Sequence, residues 1–343
     1  MQINEILNKK NIRILALETS CDETAAAIVE NGTKLLSNVV NSQIEIHKLY
    51  GGVVPEIASR AHVEVCDTVI DTALAQANLN FDDIDCFAVT YGPGLVGALL
   101  TGVSCMKGLA YACNKPLIPV NHIHGHVYAN YLSKIKPELP FVCLIASGGH
   151  SHIVIMRKEN EYQIVGKTMD DAAGEAFDKA ARVLNLPYPG GPKLSELAKH
   201  GDKTALQLPT PKVENPYDFS FSGLKTAFIN AVHKLEQKNM EIPKADFACA
   251  FEEKITDILV QKTIQVALDF QLHHVCIAGG VSANRRLREK MQQACTENHL
   301  QLYLPNLEFC TDNAAMIASA AYYTLKNGKL AGLDLNAVPN LSI

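Results

Sequence analysis

The sequence predicts a duplicated α/β fold of two lobes, each built in the order βββαβαβα. Three observations predict it. A chain of 343 residues is long for one hydrophobic core and suits two lobes of about 150 residues each. An apolar content of 48% is enough to bury real cores, which excludes a disordered chain. Finally, the order of apolar runs and helical periods in the first half returns in the second.

In the first half, apolar runs at 12–17, 24–29 and 34–41, separated by short polar turns, read as antiparallel strands. Residues 55–78 set Ile57, Ala61, Val65 and Val69 at near-helical spacing. A strand at 86–91, a helix at 95–113, a strand at 117–120 and a short helix near Gly125 complete the set. The second half opens with strands at 141–146, 152–156 and 162–166. A helix then starts near Ala173, and a long one covers 245–270. Strand 274–278, helix 284–295, strand 300–304 and helix 312–326 follow. What repeats is structural order, not residues. The stretch at about 186–240 interrupts the plan, is rich in prolines, and reads as an insertion decorating the second lobe. The lobes are therefore expected at 1–135 and 136–343, with the last helix able to pack back on the first lobe. Two such units side by side describe the architecture of actin, hexokinase and Hsp70 (the ASKHA fold). Its ligand lies in the cleft between lobes, at strand ends.

Composition removes several classes of function. Lys and Arg number 31 against 36 Asp and Glu, a net charge of -5, which excludes a generally basic nucleic-acid binder but leaves room for a local patch. No apolar run reaches the roughly 18 residues of a membrane span. Residues 1–11 carry Lys9 and Lys10 and no apolar signal core. A soluble, unsecreted, cytoplasmic protein is expected. Ten cysteines are scattered without a C-x-x-C pair, mostly inside apolar runs, and read as buried thiols of a reducing compartment. Zinc held by thiolates is not expected.

Seven motifs carry candidate chemistry. In LETSCDETAAAI, Asp22 and Glu23 fall at a strand turn, where they serve either the turn itself or a carboxylate role in the cleft. GPGLVGALLTG (92–102) lies between a strand and a helix and lacks the Lys-Ser/Thr ending of a P-loop; ligand contact and tight packing both remain open. NHIHGHVYAN sets His122 and His126 four apart, on one face of a helix, with His124 pointing elsewhere. Such a pair suits a divalent metal completed by a distant carboxylate, although the glutamate of H-E-x-x-H is missing. LIASGGHSHIV places Ser147, Gly148 and Gly149 between two strands, as a plain hairpin or a phosphate grip. DDAAGEAFDKAA opens a helix with Asp170 and Asp171 as caps and carries Asp178 further along. AGGVSANRRL is a glycine turn and a helix led by Asn284, and FCTDNAAM supplies Asp312 at an N-cap position.

Together and in this order these motifs, with GGVVPEIASRAH, YPGGP and DFSFSGLKTA, resemble the bacterial TsaD family across nearly the whole chain. Its members are tRNA N6-adenosine threonylcarbamoyltransferases of the duplicated actin-like fold. The resemblance implies His122, His126 and Asp312 as ligands of one divalent metal, usually iron(II) and sometimes zinc. It also implies Ile145, Ala146, Ser147, Gly148, Gly149, Asp178, Gly191 and Asn284 as substrate-binding positions for an adenine nucleotide, ATP or threonylcarbamoyl-adenylate. The family often has Glu where this chain has His124, a position that is not a ligand.

The implied reaction moves L-threonylcarbamoyl from the adenylate to the exocyclic amine of the adenosine 3′ of the anticodon, in tRNAs reading codons that begin with adenine, and releases AMP. Asp22 or Glu23 is the candidate proton acceptor. The implied partners are tRNA, a paralogous TsaB-type subunit and a small TsaE-type ATPase. Three alternatives stand beside this reading. A kinase-like enzyme of the same fold would leave the histidine pair without a task. A metalloprotease, the role behind the family's former O-sialoglycoprotein endopeptidase label, would want the missing glutamate. The third is a non-catalytic scaffold. Lys193, Lys199, Lys203, Lys212, Lys225, Lys234, Lys238 and Lys244 are the cations available for a tRNA contact, mostly as a solvated surface.

Overall fold

Where an apolar run is buried on both faces it needs no polar alternation, and the innermost strands of this chain are of that kind. The computed structural model describes residues 3–343; the first two residues of the N-terminal 1–11 stretch lie outside the described residues. In chain order the elements are α1 (Ile3–Leu7), β1 (Arg13–Glu18), β2 (Glu23–Glu30), β3 (Lys34–Ser42), α2 (Ile44–His47), α3 (Pro55–Ala77), β4 (Cys86–Gly92), α4 (Val96–Ala112), β5 (Leu117–Asn121) and α5 (His122–Tyr128). They continue with β6 (Phe141–Ala146), β7 (Ser151–Lys158), β8 (Glu161–Lys167), α6 (Ala173–Val183), α7 (Gly190–Ala198), α8 (Ser222–Gln237), α9 (Lys244–Asp269), β9 (His274–Ala278), α10 (Arg285–Glu297), β10 (Gln301–Tyr303) and α11 (Ala314–Lys326). No strand end departs from its expected place by more than two residues.

Two five-stranded sheets form, in the orders β3-β2-β1-β4-β5 and β8-β7-β6-β9-β10. In each, the first three strands pair antiparallel and the last two join in parallel. The two sheets therefore share one topology, the duplication expected from the order of elements.

The chain splits into two compact units, residues 1–136 with 305–343, and residues 137–304. The second lobe expected at 136–343 thus ends at 304, and everything after β10 belongs with the first unit. In that unit, Leu15, Leu17, Ala26, Ile28, Phe87 and Val89 of the sheet bury against Val69, Ile70 and Ala73 of α3 and Val103 and Met106 of α4. Helix α11 packs on β1, β2, β5 and α5. Its residues 314–321 are all buried, and Ser319 Oγ donates to the Gly32 carbonyl at 2.6 Å.

The second unit corrects the reading of 186–240 as a decoration. Leu194 of α7, Phe219 and Phe221 before α8, and Leu224, Phe228 and Val232 within it are buried in one core with Val142, Leu144, Phe177, Phe251 and Leu259. The signal was present: Leu224, Phe228 and Val232 recur every four residues, one apolar stripe of a helix. Nor do Asp170 and Asp171 cap α6, whose N-cap is Ala172 with no side-chain bond. Asp170 instead accepts the Phe221 and Ser222 amides (2.7 and 3.2 Å) and the Ser220 and Ser222 hydroxyls, and so holds the start of α8. Asp171 pairs with Lys179 and Lys225 at 2.9 and 2.6 Å. Lys225, counted above among solvated lysines, is therefore part of the frame.

None of the ten cysteines forms a disulfide. Among the described residues no helix is long and apolar enough to cross a membrane.

Candidate functional site

At the end of β5, the Asn121 side chain accepts the Ile123 amide at 2.8 Å and starts α5 at His122. His122 and His126 then stand one turn apart, with ring centroids 4.7 Å from each other. Asp312 reaches them from just before α11. The sequence reading made it that helix's N-cap, but Asn313 takes the role and accepts the Met316 amide at 3.0 Å. Capping therefore does not use the Asp312 carboxylate. Gly125 is the residue that admits α11: a Cβ there would lie 2.6 Å from Ile317 Cδ1.

Asp312 Oδ1 sits 3.5 Å from His122 Nε2 and 3.3 Å from His126 Nε2. One ligand atom from each of the three lies within 4.8 Å of the others. His126 is fully buried, and its Nδ1 has no hydrogen-bond partner among the described residues. A buried imidazole pair facing one carboxylate is a donor set that a divalent transition metal can take. His124 is outside the group, and burial first, then Lys329, pushes its pKa down to about 3.

One residue of this region escaped the sequence reading. Glu18, the last residue of β1, is fully buried. Its Oε1 accepts the Ser20 amide at 2.6 Å; its Oε2 accepts the Thr90 hydroxyl and lies 3.3 Å from His122 Nδ1. The available signal was a charge closing the apolar run RILALE. Burial works against ionising either partner, yet His122 holds the Glu18 carboxyl below its usual range. Against the same burial penalty, Asp312 and Glu18 raise His122 to about 9. His126, where burial dominates, is lowered.

Glu23, half-buried at the start of β2, is pushed up to about 10, by burial first and then by Asp312 and Asp22. The structure thus brings Glu23 into the electrostatic field of Asp312, and Glu23 keeps its proton at neutral pH. A protonated carboxyl donates rather than accepts. Because the folded state holds this proton and the unfolded chain releases it near 4.5, stability is lost as pH rises from there toward about 10. Glu23→Gln is therefore expected to melt with wild type near pH 4 and above wild type at pH 8, as calorimetry of the metal-free protein would show. A melting difference that does not change with pH would contradict this.

The glycine loop 92–102 resolves in favour of packing. Residues 335–342 run across it: the Val338 amide donates to the Tyr91 carbonyl at 2.7 Å, and the Gly94 amide to the Pro339 carbonyl at 3.1 Å. A Cβ on Gly92 would fall 2.1 Å from the Val338 oxygen. The chain's own backbone, not a ligand, takes the space these glycines leave.

In the second unit the remaining candidates gather around α6 and α7. Ile145 and Ala146 end β6, and Ser147, Gly148 and Gly149 form the turn to β7, closed by the Ser147 amide on the His150 carbonyl at 2.8 Å. Gly174 of α6 donates to the Ser147 carbonyl at 3.1 Å. One turn later on α6, Asp178 Oδ1 accepts the amides of Gly190 and Gly191, each at 2.9 Å. Ser195, one turn along α7 from Gly191, meets Asn284 at 3.3 Å. Asn284 also caps α10 through the Leu287 amide (2.8 Å) and donates to the buried Glu252 at 2.7 Å. Glu252 too was missed, one of three consecutive charged residues, Glu252 to Lys254, in the long helix α9.

Sheet order β3-β2-β1-β4-β5, made twice, with a His–His–Asp set where β5 meets α5, defines a member of the actin, hexokinase and Hsp70-like class with a group of side chains that could hold a metal. Solved structures agree on the fold. T. kodakarensis HypF matches with a TM-score of 0.63 at 13% identity, over 93% of this chain and 48% of that one. The Acidaminococcus fermentans (R)-2-hydroxyglutaryl-CoA dehydratase component A matches with a TM-score of 0.51 at 13% identity, over 92% of this chain and 98% of that one. The family model of TsaD, tRNA N6-adenosine threonylcarbamoyltransferase, matches residues 34–319. A curated relative of that name from Caldicellulosiruptor saccharolyticus is 52% identical over 96% of this chain and 98% of its own. Another, from Clostridium novyi, is 51% identical over 97% and 98%. The chain belongs to the TsaD family, and its activity is that of a tRNA-modifying acyltransferase acting in threonylcarbamoyladenosine biosynthesis.

Proposed function

We propose that this chain transfers L-threonylcarbamoyl from threonylcarbamoyl-adenylate to N6 of the adenosine 3′ of the anticodon, in tRNAs reading codons that begin with adenine. The observation carrying this reading is the His122, His126 and Asp312 cluster in a chain about half identical to transferases of that name. These three residues would hold one divalent ion; two imidazoles and a carboxylate favour iron(II), with zinc the second choice. When bound, such an ion supplies Lewis acidity toward a carbonyl oxygen.

In the reaction, N6 forms a bond to the carbamoyl carbon, the bond from that carbon to the phosphate oxygen breaks, AMP leaves with the electron pair, and N6 loses a proton. Ile145 to Gly149, Asp178, Gly191 and Asn284 bind the adenylate. The amides of Gly148 and Gly149 and the start of α10 meet its phosphate. The amine proton passes to the Asp22 carboxylate, because Glu23 already carries a proton at neutral pH and can only donate. An exocyclic aryl amine is a weak base, so positioning by these residues contributes much of the rate. A TsaB-type subunit and a TsaE-type ATPase complete the assembly and share the tRNA footprint that a net charge of -5 leaves weak.

The deciding assay measures threonylcarbamoyl incorporation into such a tRNA with both partners and the adenylate present. Modified tRNA with wild type and none with His126→Ala is the expected result. Binding of adenylate and metal with no tRNA modified would withdraw the proposal.

A further inference from the structure

We infer that Glu18 is the positioning residue of the metal centre, holding the His122 ring so that Nε2 is the nitrogen presented toward Asp312 and His126. This rests on the metal reading above. An imidazole gives one nitrogen lone pair to a cation while the other nitrogen carries hydrogen, and a carboxylate on that hydrogen selects the tautomer and the ring's rotation. Glu18 has that geometry: Oε2 lies 3.3 Å from His122 Nδ1, while His122 Nε2 lies 3.5 Å from Asp312 Oδ1.

The carboxylate is itself immobilised. Its Oε1 is tied to the Ser20 amide and its Oε2 to the Thr90 hydroxyl on the neighbouring strand β4. A fully buried carboxylate placed for no purpose would be an unrewarded cost. His126 offers the contrast, because its Nδ1 has no hydrogen-bond partner among the described residues. The two histidines are therefore unequal at the nitrogen turned away from Asp312: His122 Nδ1 is held by polar neighbours, and His126 Nδ1 by none among the described residues. The second neighbour of His122 Nδ1 is Ser20 Oγ at 3.2 Å, so the test must separate it from Glu18.

The experiment titrates the metal-free, full-length chain anaerobically with Co(II), reading the dissociation constant and the visible ligand-field spectrum. Glu18→Gln keeps the shape and removes the charge. It is expected to weaken Co(II) binding about 10- to 100-fold and to alter the spectrum. Thr90→Val, which loosens only Oε2, is expected to act in the same direction by a smaller factor and keeps the test open should Glu18→Gln not fold. His122→Ala is expected to lose binding altogether. Should His122→Ala bind Co(II) as wild type does, the metal reading itself fails. Should His122→Ala lose the metal while Glu18→Gln, or Thr90→Val in its place, retains wild-type affinity and spectrum, the inference about Glu18 is overturned. A loss produced by Ser20→Ala and absent in Glu18→Gln would assign the role to Ser20 instead.

Discussion

Alanine at His122, His126 or Asp312 is expected to abolish stoichiometric metal and to lower tRNA modification by about a thousandfold or more, the several kcal/mol that Lewis-acid stabilisation supplies. His124→Ala, outside the cluster, is expected to keep its metal. Elemental analysis of anaerobically purified variants checks both outcomes. The same cluster sets a pH dependence. His122 holds its proton up to about 9, and a cation must displace that proton to reach the nitrogen. Apparent metal affinity should therefore rise about tenfold per pH unit from neutrality and level off near pH 9. His126, with a lowered pKa, adds no such slope there. In the metal-free protein, the raised His122 pKa contributes stability that is complete below about 6.5 and is lost as pH passes through about 9. A pH-independent metal affinity over this range would mean that His122 does not hold its proton toward pH 9 in the metal-free protein.

Asp178→Ala is expected to weaken adenylate binding by tenfold or more, because one carboxylate oxygen organises the start of α7. Without Oδ1, the amides of Gly190 and Gly191 lose their acceptor, at about 1–3 kcal/mol for a buried amide left unpaired. The loop carrying Gly191, and Ser195 beyond it, then loses its anchor. Asp178→Asn retains an acceptor oxygen and separates the two contributions: an intact loop with weakened binding would show that the charge meets the ligand. Calorimetric titration with an adenine nucleotide measures both variants, and unchanged affinity in both would remove Asp178 from the site.

How much of this was legible varied with the physics of each residue. The His122 and His126 pair was readable because four residues make one helical turn, and one face follows from spacing alone. The duplicated order was readable because strands buried on both faces write themselves as continuous apolar runs. The role of Asp312 as a helix cap was misread, since Asp and Asn both suit caps and only the coordinates show Asn313 in the position. Asp170 and Asp171 failed for the same reason, their partners lying some fifty residues on.

The sequence by itself determined the local periods, the turns and the set of residues able to bind a metal or a nucleotide, because these depend on neighbours within a turn or a strand. Tertiary structure decided that α11, which the sequence left only able to pack back on the first lobe, belongs with it and carries Asp312 to the histidines of α5. It also decided that Glu18 faces His122 across 104 positions of chain, that Leu194, Phe219, Phe221 and the apolar stripe of α8 within 186–240 join the core, and that Gly92 lies against the chain's own C-terminal segment. The physical reason is common to all four. Each is a contact between segments far apart in sequence, selected by packing and by the cost of leaving a buried polar group unpaired, and neither is written in local order.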